Sequence, residues 1–120
     1  MCETHLTNTR FDSFALDERV LSGLRDAGFT FCTPIQAEAL PLALEGKDVA
    51  GQAQTGTGKT AVFVVALLQR LLAHQPPPQR KPTQPRALIL APTRELAVQI
   101  HKDTRVLAQH TDFRLGLVFG

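Results

Sequence analysis

A glycine-rich octapeptide, AQTGTGKT at residues 53–60, stands between a short segment of strand character, KDVAGQA, and a long apolar run, AVFVVALLQRLLA at residues 61–73. Strand, glycine loop and helix in that order form the unit in which successive backbone N–H groups turn inward around an anion, while the start of the next helix adds partial positive charge. Gly56 and Gly58 give the backbone freedom to turn and to approach an oxygen closely. The spacing assigns Ala53, Gln54, Thr55, Gly56, Thr57 and Gly58 to the phosphate cradle. Lys59 then reaches the β and γ phosphates, and the Thr60 hydroxyl binds Mg²⁺. The usual pattern G-x-x-x-x-G-K-[ST] has glycine where Ala53 stands, a change the loop tolerates if that position needs a small side chain and not a positive φ. An ordinary Gly/Thr-rich turn with a surface lysine is the alternative, and it leaves the flanking strand and helix as coincidence.

Around this loop the chain alternates helix and strand signals. Val20, Leu21, Leu24 and Ala27 form one helical stripe, with Asp17 as N-cap and Gly28 as terminator. A second helix starts with Thr33 as cap and Pro34 at the first helical position; Gly46 ends it, and Pro41 is expected to bend it. The helix after the loop is apolar round most of its circumference, as for a helix clamped between layers. Five prolines in residues 74–85 stop it. That segment reads as an exposed connection carrying Arg80 and Lys81, with Arg86 just beyond, or as a Pro-rich recognition peptide. Five successive apolar residues at 87–91 carry the signature of a parallel strand buried on both faces. A helix with Leu96, Ile100 and Leu107 facing inward follows, and FRLGLVFG at residues 113–120 begins a third strand. The expectation is an α/β fold with a doubly wound parallel sheet and flanking helices. Three strands are fewer than such a sheet normally has, so the chain reads as the truncated front part of a domain: a polar tail over residues 1–10, then the domain portion over 11–120.

Composition narrows the class without naming a partner. Two cysteines make neither a disulfide framework nor a zinc site, the first ten residues are polar rather than a signal peptide, and the apolar run at 61–73 is shorter than the ~20 residues of a membrane span. A cytoplasmic protein with no membrane association is the expectation. The formal charge of +2 and pI near 8.8 tolerate nucleic acid without arguing for it. His5, His74, His101 and His110 lack ligand spacing.

The pattern A-x-T-G-x-G-K-T resembles motif I of the DEAD-box RNA helicases, and two further stretches agree with that family. GFTFCTPIQ at residues 28–36 resembles its Q motif, which spans about residues 9–37 here. The resemblance implies that Phe29 stacks on adenine, that Gln36 makes a two-point hydrogen bond to the adenine edge, and that Phe11 is the motif's isolated upstream aromatic. Read locally, Thr33 to Gln36 is equally a capping box, in which Gln36 serves only the helix N-terminus. APTRELA at residues 91–97 resembles motif Ia, which implies that Pro92, Thr93, Arg94 and Glu95 contact RNA phosphates without reading sequence. Read locally, Thr93 is a helix cap and Arg94 and Glu95 a solvated pair. The similarity runs from about residue 11 to 120 and includes DVAGQAQTGTGKT and QPRALI, shared with the bacterial RhlB-like members. It implies part of a RecA-like domain of an ATP-dependent RNA helicase that takes ATP and Mg²⁺, with Lys59 and Thr60 as catalytic residues. The implied partners are RNA and, through segments not in the chain, the RNA-degradation machinery.

The chain departs from that pattern by what it lacks. It has no D-E-A-D sequence, and Asp48, Asp103 and Asp112 do not end an apolar strand, so none can hold Mg²⁺ and the attacking water. By itself the chain is expected to bind ATP weakly and not to unwind RNA. A truncated, noncatalytic nucleotide- or RNA-binding product and an unrelated P-loop ATPase remain the alternatives.

Overall fold

Local signals place the four helices where the sequence expects them. The computed structural model describes residues 6–49, 59–81 and 83–118. After a short 3₁₀ turn at Phe11–Ser13 come α1 (Glu18–Asp26), α2 (Pro34–Leu44), α3 (Lys59–Ala73) and α4 (Arg94–Leu107). Asp17 caps α1 by accepting the Arg19 N–H, Thr33 caps α2, and Thr93 caps α4 by accepting the Leu96 N–H. Gly28 and Gly46 take positive φ, 84° and 83°, one residue past the C-caps Ala27 and Glu45 of α1 and α2. Each allows a Schellman closure: Gly28 N–H to Arg25 O and Phe29 N–H to Leu24 O after α1, then Gly46 N–H to Ala43 O and Lys47 N–H to Leu42 O after α2. Pro41 lies inside α2, which continues through it to Leu44.

Helix α3 is the hub. It packs on α1, α2 and α4, and α4 also packs on α1. Ala61, Val62, Val64, Val65 and Leu68 of α3 are buried, whereas Phe63 is 45% exposed. The branched valines have modest helix propensity, so burial against three other helices is what holds this segment helical. Val20 and Leu24 of α1, Leu40 of α2 and Leu107 of α4 complete the centre, with Phe11 and Cys32 beside them. Gly23 lets α1 and α4 approach closely, because a Cβ there would lie 2.1 Å from the Leu107 carbonyl oxygen.

Three expectations need correction or limits. The residues expected to form strands at 87–91 and 113–118 adopt neither helix nor strand, and among the described residues the backbone forms one isolated bridge, Arg10 with Phe31. Leu88, Leu90 and Val118 are 77%, 82% and 92% exposed. A strand buried on both faces needs paired neighbours and covering layers, and nothing among the described residues supplies them. Leu96, expected to face inward, is 37% exposed, while Leu107 on the same helix is buried. The expected strand before the glycine loop is irregular at residues 47–49. Its remainder and the loop residues Ala53, Gln54, Thr55, Gly56, Thr57 and Gly58 lie outside the described residues. No helix among the described residues is long and apolar enough to cross a membrane.

Candidate nucleotide site

The Schellman closure at Gly28 decides where Phe29 goes. It brings the residue after the glycine back over Leu24, so Phe29 packs against the core instead of continuing outward. There Phe11, 2% exposed, meets it edge to face, with ring centroids 5.7 Å apart and planes at 67°. The chain before Phe11 runs antiparallel to the chain after Phe29: Phe11 N–H donates to Thr30 O at 3.0 Å, Cys32 N–H to Thr9 O at 2.7 Å, and Thr7 N–H to Cys32 O at 2.8 Å. Arg10 pairs with Asp12 and lies over the Phe31 ring at 5.3 Å. Residues 7–10 therefore belong to this cluster, although their polar sequence reads as a tail; their partners lie some twenty residues along the chain, beyond any local signal.

Thr33 and Gln36 form the capping box that the local reading allowed. The Thr33 N–H donates to Gln36 Oε1 at 2.8 Å, and the Gln36 N–H donates to Thr33 Oγ1 at 3.4 Å. Gln36 is fully buried. Cys32, next to the cap, is also buried, and that desolvation pushes its thiol up to about 11, so it stays neutral and acts as a small apolar side chain.

Lys59 and Thr60 occupy the first turn of α3, both partly buried. The C-terminal parts of α2 and α3 share one groove, lined by Pro41, Leu44, Gly46, Gln69, Arg70 and Ala73. Helices α2 and α3 pack on one another, with Pro34–Gln36 in the first turn of one and Lys59–Thr60 in the first turn of the other. Each first turn carries the partial positive charge of a helix N-terminus, and that of α3 also carries the Lys59 cation. The groove itself lies at the negative ends and forms no part of this site. Pro92 and the cap Thr93 precede α4, and Arg94 and Glu95 open it; all four are exposed, with the Thr93 hydroxyl engaged as the cap.

Arg86, given no role by the sequence, ties three segments together. Its Nη2 donates to Leu71 O and His74 O at the end of α3, and its guanidinium lies 5.8 Å from the Phe113 ring centroid. An arginine just past a proline-rich connection was the available signal, since cations favour helix C-termini.

Residues 33–120 match the family model for the DEAD/DEAH box helicases. The chain belongs to that family. It is 56% identical over its whole length to an ATP-dependent RNA helicase RhlB from Psychromonas ingrahamii, of which it covers 29%. Against the protein of the same name from Erwinia tasmaniensis it is 58% identical and covers 28%. Among solved structures, the DEAD-box chain resembles the RNA helicase Prp28 from Chaetomium thermophilum bound to ADP, with a TM-score of 0.81 and 37% identity over 96% of this chain and 27% of that one. A DEAD box protein from Methanococcus jannaschii matches with a TM-score of 0.68 and 33% identity over 82% of this chain and 25% of that one. The chain thus spans little more than a quarter of these helicases.

Proposed function

We propose that this chain carries the adenine- and phosphate-binding part of an ATP-dependent RNA helicase. The observation that supports the reading is that α2, opening with the buried Gln36 in its capping box, packs on α3, which opens with Lys59 and Thr60. In this reading Phe29 and Gln36 take the adenine, with the buried Phe11 backing Phe29. The loop of Ala53, Gln54, Thr55, Gly56, Thr57 and Gly58 wraps the phosphates, and Lys59 neutralises their charge. Thr60 offers one hard oxygen, which suits Mg²⁺ held mainly by water and phosphate. Pro92, Thr93, Arg94 and Glu95 lie along RNA phosphates, where exposed helix-end amides and Arg94 fix the strand without reading bases. The apolar segments at 87–91 and 113–118 become strands of a doubly wound parallel sheet in a RecA-like domain, covered by the rest of that domain. The setting is cytoplasmic RNA turnover alongside RNA-degrading enzymes, as the similarity to proteins named RhlB suggests.

The test is nucleotide and RNA binding by the full-length protein, with RNA-stimulated ATP hydrolysis measured alongside. Lys59→Ala should lower hydrolysis by roughly 10²-fold or more, because the lysine acts where charge develops. Arg94→Ala should weaken RNA binding at every sequence while ATP binding persists. ATP and GTP bound equally well by the unaltered protein would remove the adenine assignment, and unchanged RNA affinity in Arg94→Ala would remove the second.

A further inference from the structure

We infer that Thr7 is a positioning residue that sets the sense in which Gln36 reads a purine. The inference rests on the adenine assignment just proposed and adds to it a residue outside the expected motif. Both hydrogen-bond donors of Thr7, its backbone N–H and its hydroxyl, reach the Cys32 carbonyl oxygen, each at 2.8 Å. The Thr9 N–H donates to Thr7 Oγ1 at 3.1 Å, which turns the hydroxyl proton toward Cys32.

That carbonyl and the Thr33 N–H are the two ends of one planar peptide group. The same Thr33 N–H donates to Gln36 Oε1 at 2.8 Å. Fixing the carbonyl end fixes the plane, and therefore the direction of the N–H. Accepting two hydrogen bonds at the oxygen also polarises the group and makes its N–H a better donor. Three residues thus act in line: Thr7 holds the peptide, the peptide holds the amide oxygen, and the amide orientation follows.

Orientation matters because a glutamine amide has an accepting end and a donating end of nearly the same shape. Turned over, Gln36 would set its NH₂ against the Thr33 N–H, donor against donor. Adenine presents a donor at N6 beside the N7 acceptor, whereas guanine presents the O6 acceptor beside N7. Adenine matches the amide in one orientation and guanine, with two acceptors, in neither, so an amide locked with its oxygen on the Thr33 side stands ready for adenine, whereas one free to turn over must first be set at a cost that falls on ATP alone. The capping box and the nucleotide contact are therefore one device: the cap bond holds the amide ready for adenine, and Thr7 stiffens the cap bond.

The experiment uses the full-length protein and measures affinity for ATP and for GTP on the same sample. Their ratio cancels any loss of folded material, so a merely structural effect leaves it unmoved. Thr7→Val keeps the shape and the backbone N–H but removes the hydroxyl. It should lower the ATP-over-GTP ratio by roughly three- to tenfold, the range of one hydrogen bond, and Thr7→Ser should restore it. Gln36→Ala is measured in parallel. If Gln36→Ala abolishes the preference while Thr7→Val leaves it unchanged, the inference about Thr7 is overturned and the adenine assignment stands. If Gln36→Ala keeps the full preference, the adenine assignment fails and takes this inference with it.

Discussion

Asp17 accepts the Arg19 backbone N–H and two N–H groups of the Arg19 guanidinium, while its own N–H donates to Gln69 Oε1 on α3. The Arg19 side chain first, and the Arg19 backbone N–H second, hold its carboxyl down to about 2. A folded-state value below the ordinary 3.8 means that the charged form is favoured by folding. The resulting stability is fully present above the ordinary value and is lost as pH falls from there through about 2. Asp17→Ala should cost roughly 0.5–2 kcal/mol at neutral pH, the usual range for a lost N-cap. Asp17→Asn should keep most of the cap yet flatten the acid limb, which thermal melts across that pH window will resolve; an acid limb unchanged in Asp17→Asn would assign the pH dependence elsewhere. At this scale much was legible in the sequence, because caps and terminators are short-range codes: Asp17, Gly28, Thr33, Pro34 and Gly46 all serve as their residue types suggest. Thr7 was not legible, since its acceptor lies 25 residues away, and the Gln36 capping box was legible without showing how a cap and a contact can share one amide.

Helix spans followed from periodicity, but periodicity does not say what covers each face. Leu96 and Leu107 lie on a common stripe of α4, yet the first is more than a third exposed and the second buried, where α1 meets that helix at Gly23. Gly23 shows the converse. In sequence it is a weak point inside α1, and alanine would gain up to ~1 kcal/mol in helix propensity. In the fold it is the place where α1 touches the backbone of α4. Gly23→Ala must push the two helices apart, since the obstacle is the Leu107 carbonyl and not a side chain that can swing away. We expect a net loss of about 1–3 kcal/mol, as for other overpacked contacts, seen as a lower denaturation midpoint. A neutral or stabilising result would mean that the helices stand further apart than the described contact.

For the whole molecule, the apolar runs that have no sheet partner among the described residues dominate behaviour. Leu88, Ile89 and Leu90, together with Leu115, Leu117 and Val118, leave apolar surface in water that four packed helices do not reach. The 120-residue polypeptide should therefore self-associate at micromolar concentration. Leu88→Lys with Leu90→Lys should reduce that association, read by sedimentation, with helical circular dichroism unchanged. The same pair in the full-length protein should destabilise by several kcal/mol, as buried unpaired charges do; if both forms tolerate it equally, these leucines are surface in both. The strand signature at 87–91 was a statement about partners as much as about this chain, and periodicity cannot report a partner.

The Arg86 contact with Phe113 acquires a kinetic meaning here. It pins the chain just before one apolar run to the chain just before the other, while the hydrogen bonds to Leu71 and His74 anchor both to the end of α3. Bringing two distant segments together costs entropy that grows slowly with the length of the loop between them. In this structure the helical layer closes that loop while both runs are unpaired, so any partner that pairs with them would meet two segments already tethered together.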